Sequence, residues 1–202
     1  MIKSNLDIQI LATAKLPTPW GTFQFSIWKS SKENKEHILL ARGDIRQSLS
    51  SVLIRIHSAC ITGESFVSLK CDCREQLQEA MRLIGQESVG AIIYLNQEGR
   101  GIGLVNKIKA YALQDNGLDT VQANQKLHLP VDKRNYQTAV SLLKYLGITK
   151  VKLMTNNPKK VHALTKAGIH VTERIPMRIK PNEINKEYLL TKKHKLGHIF
   201  EL

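Results

Sequence analysis

All three cysteines of this chain lie in one short stretch, Cys60 to Gln76, which reads C-I-T-G-E-S-F-V-S-L-K-C-D-C-R-E-Q. No other feature restricts the fold as strongly, because three thiols that meet tie the end of one element to the start of another. Cys71 and Cys73 alternate, so in an extended segment both thiols point the same way, and Cys60 returns from a neighbouring strand. Three thiolates suit a soft tetrahedral metal, zinc first among them. Three protein ligands leave a position for water, the arrangement of catalytic rather than structural sites. His57, three residues before Cys60, offers a fourth ligand, and a closed site of three cysteines and one histidine fits the spacing equally well. Unconnected buried thiols are the weaker reading, since two of the three are spaced C-x-C.

Hydrophobic period changes at this stretch. Before it the chain reads as extended: an apolar run at Ile8 to Ala12, a turn-rich connector from Leu16 to Gly21, and alternating Phe23, Phe25 and Ile27. Ser30 to Glu36 is a polar hairpin loop, and His37 to Ala41 and Val52 to Ile56 are further strands. After Cys73, Leu77, Ala80, Met81 and Ile84 take helical spacing up to a stop at Gly85. Gly90 to Leu95 is a buried-type strand. A glycine-rich turn and a helix follow, with Leu104, Ile108, Tyr111 and Ala112 on one face. A helix from Tyr136 to Leu146, a strand at Val151 to Met154, a helix at Pro158 to Lys166 and a strand at His170 to Ile175 complete the pattern. This alternation predicts one α/β domain over residues 1–202, with helices packed on a mixed sheet whose N-terminal part is mainly antiparallel.

The chain of 202 residues carries a formal net charge of +13, which calls for an acidic partner: nucleic acid, membrane or a phosphorylated small molecule. Aromatic residues make up 5%, little material for a base-stacking surface. The run Lys192 to Lys195 reads as a solvated helix face. Other basic residues sit singly beside glycines and at helix starts, as a grip on one polyphosphate requires, so a nucleotide is favoured over nucleic acid. The odd cysteine count and the lack of an apolar N-terminal segment argue against a secreted disulfide framework. No run is long enough to span a membrane, so a cytoplasmic protein is expected.

Two stretches offer anion sites. Gln97 to Gly103 places glycines and Arg100 between a strand and a helix, where backbone N–H groups reach phosphate. Its G-x-G-x-G spacing is not the dinucleotide fingerprint. Glu98 is an acceptor for guanine N–H groups. In Thr155-Asn156-Asn157-Pro158-Lys159-Lys160, Asn157 caps a helix and Pro158 opens it. Two lysines in that first turn oppose the helix dipole, a mismatch that a bound anion explains. Asp132 reads as a helix cap, and Tyr111 as a core tyrosine.

The runs R-I-H-S-A-C-x10-C-D-C, Q-E-G-R-G-I-G-L, N-K-I-K-A-Y-A-L-Q-D, L-D-T-V-x-A-N, V-D-K-R and T-N-N-P-K-K together resemble GTP cyclohydrolase II, from Ala14 to beyond Tyr188. That family opens the guanine ring of GTP at the entry to riboflavin biosynthesis. The resemblance implies zinc on Cys60, Cys71 and Cys73, one ion per subunit. It implies GTP contacts from Arg55, Ile56, His57, Ser58, Ala59, Gln76, Glu98, Gly99, Arg100, Thr120, Thr155 and Lys160. Asp132 becomes a proton acceptor, Arg134 a nucleophile or a phosphate clamp, and Tyr111 a participant near the zinc. Mg2+ on the polyphosphate and a homodimer are implied as well, with neither membrane nor nucleic acid as partner. Ala59 stands where the family carries glutamate, Arg74 where it carries glycine, and Glu64 where it carries aspartate. A diverged enzyme of partial activity and a zinc-stabilised binding module are the alternatives.

Overall fold

The computed structural model describes residues 7–48 and 50–199. Seven strands form one sheet: β1 (Ile8–Thr18), β2 (Gly21–Ser30), β3 (Glu33–Arg42), β4 (Val52–Ser58), β5 (Gly90–Leu95), β6 (Lys150–Met154) and β7 (His170–Ile175), in the order β1-β2-β3-β5-β4-β6-β7. The β1-β2-β3-β5 pairs are antiparallel, and β5-β4-β6-β7 are parallel. The sheet is therefore mixed, with the antiparallel part N-terminal, as the alternation predicts.

The helices are α1 (Ile61–Glu64), α2 (Cys73–Gln86), α3 (Leu104–Gln114), α4 (Thr120–Lys126), α5 (Gln137–Tyr145), α6 (Pro158–Lys166) and α7 (Lys186–Leu196), with a short 3-10 turn at Glu98–Gly101. Alternation along β4 sorts the core. Ile54 and Ile56 face one side, packed with Leu142 and Leu143 of α5 and Leu164 of α6. Leu53 faces the other, with Ala80 and Ile84 of α2. The chain after β4 thus crosses on one face of the sheet, and the chain after the adjacent β6 crosses on the other. Such a reversal opens a crevice outside the carboxyl ends of the strands, where ligands bind in α/β folds.

Several local expectations change. β1 runs through Pro17 to Thr18, because it is an edge strand paired only with β2 and a missing N–H is tolerated there. Gly85 lies inside α2 and does not stop it; a Cβ there would stand 2.4 Å from the Trp20 carbonyl oxygen, so close packing is what requires glycine. On α3 the inward residues are Lys107 and Ala110, whereas Leu104 and Ile108 are 40% and 47% exposed. The short helix α4 has no hydrophobic period to announce it. Its signal is the capping box of Asp119 and Gln122.

Candidate functional site

The crevice is lined by residues that leave the carboxyl ends of β4, β5 and β6, closed over by α3, α4 and α7. It encloses about 980 Å³ of empty space, its open mouth included.

One end is built from sulfur. Cys60 follows β4 and precedes α1, while Cys73 opens α2. Among the described residues, the three cysteines bring their Sγ atoms within 4.8 Å of one another. The C-D-C segment is not extended: Asp72 has φ −110° and ψ 17°, and the turn into α2 swings both sulfurs around one point. Gly63 is required here, since a Cβ would lie 2.7 Å from Cys71 Sγ and 3.3 Å from Cys60 Sγ. Tetrahedral zinc with bonds of about 2.3 Å holds its sulfurs about 3.8 Å apart; Cys60 Sγ and Cys71 Sγ are separated by 3.6 Å. The hydrogen bond with Cys60 pushes the Cys71 thiol up to about 11, and Cys73 is raised for the same reason. The same hydrogen bonds lower Cys60. A central dication would displace the remaining protons, so the donor set fits zinc.

His57 does not join the sulfurs. Its Nε2 lies 2.8 Å from Glu64 Oε1, and Tyr94 donates its hydroxyl to Glu64 Oε2 at 2.6 Å. Burial keeps the ring below the ordinary histidine value against the pull of Glu64. The neutral ring therefore donates through Nε2–H, and Nδ1 is left as a buried acceptor with no hydrogen-bond partner among the described residues.

Glu98 turns its carboxylate inward. Oε2 accepts from Ile61 N at 2.7 Å, and Oε1 accepts from Gly99 N at 2.9 Å and from Lys107 Nζ at 2.8 Å. Lys107 Nζ also reaches Cys60 Sγ at 3.1 Å. The ammonium stays charged because Cys60 and Glu98 outweigh its burial.

The other end is cationic. Arg55 is buried in β4, which lowers it to about 10. It donates to the Met154 carbonyl at 2.9 Å and to Gln76. Gln76 in turn bonds Asp72, which pairs with Lys192 at 2.7 Å. Lys160 reaches the Ile56 carbonyl at 2.7 Å; burial, with Arg55, Arg134 and Lys192 nearby, holds it well below the usual lysine range. Arg100 adopts the left-handed conformation, φ 58°, at a cost of about 1–3 kcal/mol for a non-glycine residue. Among the described residues both its terminal guanidinium nitrogens are buried without a hydrogen-bond partner, and the group lies over the Tyr188 ring at 5.3 Å. Arg134 is gripped by Asp132 through Nε at 2.9 Å and Nη2 at 2.8 Å. Burial disfavours its charge, but the Asp132 hydrogen bonds prevail and raise it above the ordinary arginine value.

The crevice gathers most of the residues singled out in the sequence. Arg55, His57, Ser58, Ala59, Gln76, Glu98, Gly99, Arg100, Tyr111, Thr120, Arg134, Thr155 and Lys160 line it together with the three cysteines. Two stand apart. Ile56 turns its side chain into the core and offers only its carbonyl, and Asp132 lies behind Arg134 outside the lining. Asp132 is not the cap of α5, since Asn135 accepts from Gln137 N at 2.8 Å. Arg74 pairs with Glu75 at 2.8 Å and is absent from the lining.

Lys107, Tyr188 and Lys192 are polar lining residues to which the motifs assign no role, and Asp72 stands behind the lining, paired with Lys192. For Lys107 the available signal was a charged residue on the buried face of its helix. Lys192 was read as solvated, yet its side chain is 10% exposed and paired with Asp72.

Comparison with known proteins gives a consistent result. A family model described as GTP cyclohydrolase II matches residues 9–176. A GTP cyclohydrolase-2 of Shewanella amazonensis is 50% identical over 194 residues, 96% of this chain and 94% of that protein. One from Buchnera aphidicola is 50% identical over 95% of this chain and 98% of its own length. A riboflavin biosynthesis protein of Aquifex aeolicus is 48% identical over 96% of this chain, which spans 48% of that longer protein. Among solved structures, a two-domain 3,4-dihydroxy-2-butanone 4-phosphate synthase from A. baumannii aligns with a TM-score of 0.50 at 16% identity. That alignment covers 87% of this chain and 42% of the other, a likeness of fold alone.

Proposed function

Because the chain belongs to the GTP cyclohydrolase II family, we propose that it hydrolyses GTP in the first step of riboflavin biosynthesis. The reaction opens the guanine imidazole ring at C8 and releases formate and pyrophosphate, leaving a ribosylaminopyrimidine phosphate. The observation that carries this reading is the placement of a three-thiol cluster and a group of buried cations in one crevice. A purine reaches the first while its phosphates reach the second.

Cys60, Cys71 and Cys73 would hold zinc, whose chemistry when bound is to lower the pKa of water from about 15.7 toward about 7 and to act as a Lewis acid. The protein's own groups do the rest. Tyr111, kept protonated by burial, is suited to donate a proton beside the sulfur end. His57 Nδ1 presents the complementary acceptor. Arg55, Arg100, Arg134 and Lys160 take the phosphates, with Mg2+ neutralising part of the polyphosphate charge. Thr155 and Thr120 supply hydroxyls, and Gln76 fixes Arg55.

For Arg134 the geometry favours a clamp over a nucleophile. A guanidinium is nucleophilic only after losing a proton, and the bidentate grip of Asp132 holds that proton in place. Asp132 then serves as the base of the pair in charge, keeping Arg134 cationic against the α-phosphate. The same reading places the enzyme in the cytoplasm; among the described residues no helix is long and apolar enough to cross a membrane. It also gives a homodimer, for which Phe66, Leu69, Val105 and Ile108, each at least 47% exposed, provide an apolar surface. Sedimentation as a monomer would remove that part.

The test is to incubate the purified protein with GTP, Mg2+ and zinc and to assay formate and pyrophosphate separately. Both products are expected in equal amounts. Neither product would overturn the assignment, and pyrophosphate without formate would mark a partial reaction.

A further inference from the structure

A dication held by three thiolates carries one surplus negative charge, and in a buried site that surplus is expensive unless a cation answers it. Lys107 stands at the right place. It comes from α3, 47 residues beyond Cys60, and its Nζ lies 3.1 Å from Cys60 Sγ. It is 9% exposed, so its ammonium is largely withdrawn from bulk water.

Its position is secured from both sides. Glu98 Oε1 accepts from Nζ at 2.8 Å, while Glu98 Oε2 accepts from Ile61 N at 2.7 Å. The carboxylate that holds the lysine is thereby tied to the residue next to Cys60, and cation and sulfur keep their spacing. The lysine stem passes over Gly99, where a Cβ would lie 3.1 Å from Lys107 Cβ. A turn of glycine and a helix lysine have been fitted together around one sulfur.

We propose that Lys107 is a positioning residue of the metal centre: held by Glu98, its ammonium donates to the Cys60 thiolate and offsets the surplus charge of a three-sulfur, divalent-metal site. The role rests on the reading of the cysteines as metal ligands and adds to it a residue outside the ligand set. A donor to a ligating thiolate draws electron density from sulfur and stabilises the ligand in its charged form, as outer-shell partners of metal ligands do.

The experiment uses the full chain without GTP, so it does not depend on turnover. Zinc affinity is measured by competition with a chromophoric chelator for the unsubstituted protein, Lys107→Met and Lys107→Arg. Lys107→Met is expected to bind zinc roughly 10- to 100-fold more weakly, with Lys107→Arg recovering most of the loss. Cobalt(II) in place of zinc gives a second readout. Its sulfur-to-metal charge-transfer band moves to lower energy in Lys107→Met, because an unanswered thiolate gives up its electron more readily. Equal zinc affinity and an unmoved band overturn the role of Lys107. Lys107→Arg as weak as Lys107→Met overturns the charge argument. Absence of zinc binding by the unsubstituted protein overturns the metal reading itself. If circular dichroism shows that Lys107→Met does not fold, Lys107→Gln decides: a neutral polar side chain at the same place is expected to weaken zinc in the same direction, and an unchanged affinity overturns the proposal.

Discussion

At the sulfur end of the crevice the buried charges answer one another: Lys107 meets both Glu98 and Cys60 within 3.1 Å. At the opposite end Arg55, Arg100 and Lys160 converge, and among the described residues none of them is in a salt bridge and the two terminal nitrogens of Arg100 have no hydrogen-bond partner, only the Tyr188 ring at 5.3 Å. Asp72 and Asp132 lie nearby, but each is already committed, to Lys192 and to Arg134. At the first end the buried cation already has two anionic neighbours. The second is strained until a polyanion arrives, which is how a protein stores affinity for one.

The comparison breaks most visibly at Cys71→Ser. This variant should lose zinc and lower formate release by more than the roughly 100-fold ceiling of outer-shell changes, while GTP still binds at the cationic end. Zinc content, formate yield and circular dichroism check it, and unfolding of the variant would make the metal chiefly structural. Asp132→Ala comes next. Removing one partner of a buried charge pair costs about 2–5 kcal/mol, and the loss should appear in turnover more than in GTP affinity. Unchanged steady-state turnover would detach the Asp132–Arg134 pair from the reaction.

Lys160→Met gives the smallest effect and the sharpest one. GTP binding should weaken about tenfold, yet the ligand-free protein should gain about 1 kcal/mol as an unpaired buried charge is removed. The pH dependence follows from the direction of the lysine shift. Folded Lys160 titrates below its unfolded value, so between the two values the folded state binds fewer protons. Stability of the ligand-free protein therefore rises with pH across that window. Thermal melts up to the ordinary lysine value should show that rise in the unsubstituted protein and a flatter profile in Lys160→Met. Equal slopes would mean that Lys160 is not the strained cation.

Legibility in the sequence followed how local each feature was. The β5 strand and the α6 helix were read to the residue, because Gly90 bounds one and Asn157-Pro158 opens the other. Asn157 does accept from Lys159 N at 3.0 Å, as a cap should. α3 was placed on the wrong face, since its apolar residues Leu104 and Ile108 are outside and its lysine is inside. The Cys60 sulfur and the Glu98 carboxylate, both outside the helix, draw the lysine inward. The ambiguity over His57 had the same root: spacing alone let it join the cysteines, and Glu64 with Tyr94 takes it away.

The sequence by itself determined the residue types of the site and the strand-to-helix junctions that carry them. Glycine, proline, asparagine caps and hydrophobic period act within a few residues and are read along the chain. The tertiary structure alone decided which charges are answered and which are left waiting. Asp72 and Lys192 are 120 residues apart and Lys160 and Ile56 are 104, and no one-dimensional pattern records such pairings. Burial then sets their energies, because a charge removed from bulk water depends on each neighbour within a few ångströms.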